Sequence, residues 1–171
     1  MFCVKRELLA ENGHIFVACR GGRLYTKGMT IKVAIAADHG GFELKQTLKN
    51  SALAVEWLDL GTHSAESVDY PDYGSKLAEA VASGEADLGI AICGSGIGIS
   101  IACNRHPKIR AALCGNSTMA RLARAHNDAN VLCLGARLTG DVLAIDIVQA
   151  FLESEFEGGR HAGRVAKLGN C

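Results

Sequence analysis

No sign of charge prevails in this chain. Lys and Arg together number 18, as do Asp and Glu, so no molecule-wide field draws the protein to nucleic acid or to an anionic membrane, and any anion site has to be local. Long apolar runs are missing as well. LGIAIC after Asp87 and VLCLG after Asn130 stop well short of the roughly 18 residues that a membrane span requires. The first 28 residues lack the apolar core of a secretory signal. There is no C-x-x-C pair, and the seven cysteines are odd in number and scattered. That pattern excludes a zinc ribbon and a disulfide framework and fits free thiols in a reducing cytoplasm. Neither G-x-G-x-x-G nor a P-loop with its Lys-Ser/Thr occurs in the glycine-rich segments, which argues against a dinucleotide or nucleoside triphosphate. These absences leave the expectation of a soluble cytoplasmic protein, with no nucleic acid or membrane partner, acting on a small molecule.

What is present is enough for one well-packed domain, at 171 residues of which 49% are hydrophobic. From Met29 onward short apolar runs alternate with helical patterns, which predicts βαβ units. Strands are expected at 31–37, 55–60, 87–93, 110–114 and 130–134, and helices at 42–52, 73–83, 97–104, 117–126 and 140–153. The expected fold is α/β: a three-layer, Rossmann-like arrangement with a five-stranded parallel sheet in the order 2-1-3-4-5. Residues 1–28 stand outside this alternation. They carry a hairpin pattern, HIFVACRGGRLYTKG, turning at Gly21-Gly22, and read either as a dispensable extension before a start at Met29 or as a hairpin packed on the domain. The expected division is therefore an extension over 1–28 and a domain over 29–171.

In an open parallel sheet ligands sit beyond the carboxyl ends of the strands where the strand order reverses, here between the first and third strands. The first ends in Asp38-His39-Gly40-Gly41 and the third in Cys93-Gly94-Ser95-Gly96-Ile97-Gly98, so the two turns should converge. The second opens a helix, and its backbone N–H groups can face an anion with the helix dipole behind them; it also reads as a plain tight turn. Cys93 reads as a small buried hydrophobe at a strand end or, facing that helix start, as a thiolate base. Cys103, Cys114 and Cys133 read only as packing. Asp38-His39 is either a helix cap or a carboxylate for sugar hydroxyls beside an imidazole for an anion or a proton. His126-Asn127-Asp128 either caps a helix or, from its position between the fourth and fifth strands, aims at the same mouth. Arg160 and Arg164, four apart, form a solvated tail or jointly hold a phosphate on one helix face. Tyr70, in SVDYPDY, is packing or borders the site from the second connection. His63 and His106 show no partner.

Taken together, Asp38-His39-x-Gly41, DYPDY, CGSGIGISIACN, AHNDANVLCLG and EFEGGRHAGRV resemble the ribose-5-phosphate isomerase B family, which includes allose-6-phosphate and galactose-6-phosphate isomerases. The resemblance runs from Met29 to about Val165, with five motifs in register. It implies an aldose-ketose isomerase that needs no metal and no cofactor and works through a cis-enediol. In those terms Cys93 is the base moving the proton between C1 and C2, and Ser95 assists the hydroxyl proton transfer. The amides of Gly94, Gly96 and Gly98 hold the enediolate. His126 opens the furanose ring, with Asp38, Tyr70 and Asn127 around the sugar, while His39, Arg137, Arg160 and Arg164 form the phosphate shell. The resemblance also implies a homodimer, or a dimer of dimers, in which the C-terminal arginines reach the neighbouring subunit's site. The reaction it implies is interconversion of ribose 5-phosphate and ribulose 5-phosphate in the pentose phosphate pathway; the alternatives are an allose-6-phosphate or galactose-6-phosphate isomerase, the latter also as a subunit of a hetero-oligomer, and a non-catalytic sugar phosphate-binding module. For the extension the resemblance offers no guide.

Overall fold

The computed structural model describes residues 30–168 in full, together with the backbone of three strands before them. Those strands, β1 (Leu8–Leu9), β2 (Ile15–Arg20) and β3 (Arg23–Thr26), form an antiparallel sheet in chain order. β2 and β3 supply the strands of the expected hairpin, while the Gly21-Gly22 turn and Met29 lie outside the described residues. The chain divides into two compact units, Met1–Thr30 and Ile31–Cys171.

The second unit alternates strand and helix. Its strands are β4 (Ile31–Ala37), β5 (Val55–Asp59), β6 (Leu88–Cys93), β7 (Ala111–Leu113) and β8 (Val131–Gly135). Its helices are α1 (Phe42–Lys49), α2 (Tyr70–Ser83), α3 (Ile97–Cys103), α4 (Ser117–Asn127), α5 (Asp141–Glu153) and α6 (Ala162–Leu168). All five strands are parallel. Because strand side chains alternate between faces, each central strand feeds two cores. Val33, Ile35, Ile90, Ile92, Leu132 and Leu134 pack against α1, α4 and α5 on one face. The other face carries mostly smaller residues, Ala34, Ala36, Ala91, Cys93, Val131 and Cys133, beneath α2 and α3. These helices come close enough that a Cβ on Gly89 would lie 2.6 Å from the Leu77 side chain. A parallel sheet covered on both faces is what near-continuous apolar strands require.

The strand order is β5-β4-β6-β8-β7, which corrects the expected order at its last two positions: β8 lies beside β6, and β7 takes the edge. Burial explains the exchange. Every residue of β8 is buried, so it needs neighbours on both sides as well as both faces covered. β7 is only three residues long and partly exposed, as suits an edge strand. The reversal of strand order between β4 and β6 is unaffected.

Candidate active site

β4 delivers Asp38 to the reversal point, where its N–H bonds the Ile92 carbonyl at 3.2 Å. The Asp38 carboxylate then caps a short 3-10 turn, His39–Gly41, by accepting the Gly41 N–H at 3.0 Å. Gly41 is required here for space, since a Cβ would stand 2.8 Å from the Ile92 carbonyl oxygen. This turn meets the one after β6: a Cβ on Gly40 would approach the Gly94 nitrogen to 3.3 Å.

After β6 the chain turns through Gly96, at φ 76° and ψ −15°, a left-handed conformation that glycine adopts at little cost. The turn brings the Gly96 N–H to 3.1 Å from Cys93 Sγ, to which it donates, and the Ile97 N–H to 3.3 Å from Ser95 Oγ. Strand β8 closes the other side. Ala136 and Arg137 donate their N–H groups to the carbonyls of Cys93 and Gly94 at 2.9 and 3.0 Å, so the central position of β8 is what sets Arg137 beside the glycine loop. Tyr70, at the start of α2, lays its ring over Gly98, where a Cβ would come within 2.6 Å of the ring. His39 Nδ1 lies 3.1 Å from the Val68 carbonyl oxygen and 3.2 Å from the Val68 nitrogen. The backbone thereby orients the ring by Nδ1 and leaves Nε2 for a ligand.

The result is a cleft of about 400 Å³ bordered by Asp38, His39, Tyr70, Cys93, Ser95 and Arg137, with Gly40, Gly94, Gly98 and Leu138. Cys93 is only 4% exposed but is one of the residues that line this cleft, with its sulfur against the Gly96 N–H. The other described thiols differ. Burial pushes Cys114 up to about 11. A hydrogen bond with Cys103, followed by burial, raises Cys133 well above the usual thiol range. Cys103 donates to the Gly74 carbonyl at 3.4 Å. Cys114 and Cys133 stay protonated, and all three side chains pack in the two cores.

His126, Asn127, Arg160 and Arg164 do not join this cleft within one chain. A crossover helix runs back against its strands, so the end of α4 returns to the rim where strands begin. The expectation that His126-Asn127 aims at the same mouth is corrected on that ground. Asn127 borders a separate groove of about 580 Å³ with Arg105, His106, Arg110 and Leu168. Asp128, at φ 47°, ends α4 and binds Arg110 and Arg124 at 2.8 and 3.1 Å. Arg160 lies in a 3-10 turn, Gly159–His161, just before α6, which carries Arg164; both arginines are exposed.

At this rim the structure adds two residues that sequence reasoning did not single out. The His161 ring stacks on that of His126, with centroids 4.3 Å apart and planes 5° from parallel. Glu157 Oε2 lies 3.7 Å from His126 Nε2 and 3.9 Å from His161 Nε2. His161 stands between the two arginines in the sequence, but its partner is on a different helix, so no local spacing announces the pair.

Comparison with known proteins points one way. A family model described as Ribose/Galactose Isomerase matches residues 33–168. Ribose-5-phosphate isomerase B of Escherichia coli is 50% identical over 139 residues, covering 80% of this chain and 93% of that protein. The structure of a Clostridium thermocellum ribose-5-phosphate isomerase B is similar at 57% identity and a TM-score of 0.80, covering 82% of this chain and 96% of that one. That of a Thermotoga maritima ribose 5-phosphate isomerase is similar at 52% identity and a TM-score of 0.81, covering 84% and 100%.

Proposed function

The chain belongs to the ribose/galactose isomerase family, and on that premise we propose that it interconverts ribose 5-phosphate and ribulose 5-phosphate through a cis-enediolate. The observation that carries this reading is the sulfur of Cys93, set in a small cleft between the Asp38-His39 turn and a glycine loop. Moving a proton between adjacent carbons next to a carbonyl needs a base on one side and fixed donors where the negative charge develops. Cys93 as thiolate is the base. It takes the proton from C2 of the open-chain aldose and returns it to C1, while Ser95 assists transfer between the two oxygens. The amides of Gly94 and Gly98 receive the enediolate oxygen, and such donors contribute about 10²- to 10³-fold each, while the Gly96 N–H, expected to join them, stays on Cys93 Sγ and steadies the thiolate. Asp38 and Tyr70 hold the sugar, and His39 and Arg137 hold the phosphate, whose binding energy fixes the reacting carbons in place. Neither a metal nor a cofactor takes part.

His126 as ring opener, Asn127 as sugar ligand, and Arg160 and Arg164 as phosphate ligands then have to come from a second copy. Their place on the opposite rim from Cys93 supports a two-fold homodimer, alone or paired again, in which each site joins the cleft of one chain to the rim of the other. Free thiols, no helix among the described residues long and apolar enough to cross a membrane, and a metabolite substrate support a cytoplasmic enzyme. The division into two compact units at Thr30 supports an N-terminal extension over 1–28 separate from an isomerase domain over 29–171.

The purified chain in EDTA should convert ribose 5-phosphate to ribulose 5-phosphate and exchange solvent deuterium into the substrate at C2. Binding without exchange would reduce it to a sugar phosphate-binding module. Rates measured side by side on ribose 5-phosphate and allose 6-phosphate decide the chain length of the preferred sugar.

A further inference from the structure

The rim opposite the cleft brings together two imidazoles and a carboxylate, His126, His161 and Glu157, whose ligand-type atoms all lie within 4.8 Å of one another. We propose that these three side chains form a binding site for a divalent transition metal ion of the zinc class, and that filling it disables His126. The site itself stands on geometry alone; its effect on turnover rests on the reading of His126 given above.

Two imidazoles and one carboxylate suit zinc, nickel or copper rather than magnesium or calcium, which prefer oxygen alone. Bonds of about 2.0–2.2 Å around a tetrahedral zinc place ligand atoms roughly 3.3–3.5 Å apart. The Glu157 oxygen is already at 3.7 and 3.9 Å from the two Nε2 atoms, so a contraction of a few tenths of an ångström brings it into range. Glu157 is free to make that move. The Glu157 backbone is fixed by its N–H bond to the Ala125 carbonyl at 3.0 Å, while its side chain is 61% exposed. His161 is buried and serves as the rigid anchor.

An imidazole donates its lone pair in the plane of the ring, and two parallel stacked rings cannot both direct theirs at one ion between them. Coordination therefore requires His126 to tilt off His161. The stacked pair and the metal-bound pair are alternative states, and the ion removes both the orientation and the free nitrogen of His126. Arg160 Nε, 3.4 Å from His161 Nε2, opposes the ion by its charge and has to swing outward.

The test is calorimetric titration of the full-length protein with zinc chloride, free of chelator and sugar phosphate. Parallel titrations use Glu157→Gln and His161→Asn, each checked for native circular dichroism. One equivalent per chain should bind, with affinity lowered at least about tenfold in each variant. No binding, or equal affinity in wild type and both variants, as a thiol site would give, overturns the site. Zinc should also inhibit wild-type turnover, reversibly with EDTA, and spare Glu157→Gln; binding that leaves wild-type turnover unchanged overturns the coupling to His126. A chain with no isomerase activity would sink the function proposed above and the coupling with it, while calorimetry still decides the site.

Discussion

Along β6 the side chains alternate between two packed faces, and Cys93 takes the face of Ala91 beneath α2 and α3 while Ile90 and Ile92 fill the other. One step along the strand would turn the sulfur to the other core. Replacing Cys93 by Ala should lower turnover by about 10²- to 10⁴-fold, the range of a general base, with sugar phosphate affinity by calorimetry nearly unchanged; full turnover would remove the thiol from the reaction. Gly96 offers a separate test. At φ 76° a side chain is strained, and its Cβ would stand 2.8 Å from the Leu134 carbonyl carbon. Gly96→Ala should cost about 1–3 kcal/mol of stability, read as a lower urea midpoint, and should reduce kcat by displacing the N–H that faces Cys93. Much of this was legible in the sequence, because Asp38-His39 and Cys93-Gly94-Ser95 each end a predicted strand and the topology brings those ends together. His161 and Glu157 were not legible, since what gives them meaning is a ring stacked across two elements distant in sequence.

Between elements, the loop that follows β5 is tied down by charge. Lys45, wholly buried on α1, donates to Asp59 and to the Thr62 carbonyl, both at 2.6 Å, and Lys49 reaches the other Asp59 oxygen. Directly before Asp38, Ala37 donates its N–H to the Gly61 carbonyl and accepts the Thr62 N–H on its own carbonyl, both at 2.8 Å. Burial alone would raise the Asp59 carboxyl, but hydrogen bonds from Lys45, Lys49 and the Gly61 N–H outweigh it and hold the group at about 2, against 3.8 for the free side chain. A carboxyl lowered in the folded state stabilises fully above its unfolded value, and that contribution disappears as pH falls through the folded one. Wild-type stability should therefore decline between about pH 4 and pH 2 more steeply than that of Asp59→Asn, which should already be weaker at about pH 5; parallel urea titrations would show otherwise if the triad is unimportant. Strand positions were legible from apolar runs to within a residue or so. Their order was not, because periodicity states which residues are buried and not which strand lies beside which. Only the complete burial of β8 against the exposure of β7 decides it.

For the whole molecule, the proposed joining of the Cys93 cleft of one chain to the His126 rim of another predicts that activity belongs to pairs of chains. Cys93→Ala and the double variant Arg160→Ala/Arg164→Ala should each be nearly inactive as homodimers. Mixed in equal amounts and allowed to exchange subunits, they should regain about a quarter of wild-type activity, because half the dimers are mixed and each has one intact site of two. Continued inactivity after exchange, verified by mass spectrometry of the mixed dimers, would mean that each chain builds its own site.

The place of β8 also bears on how the chain matures during synthesis. Among the described residues β7 pairs with no strand but β8, so as the polypeptide leaves the ribosome Ala111–Leu113 has no docking edge among them until Val131–Gly135 has followed it out. The sheet cannot grow strand by strand in the order of translation. Its second-to-last strand waits for its last, and the wall bearing Arg137 arrives in the same late event.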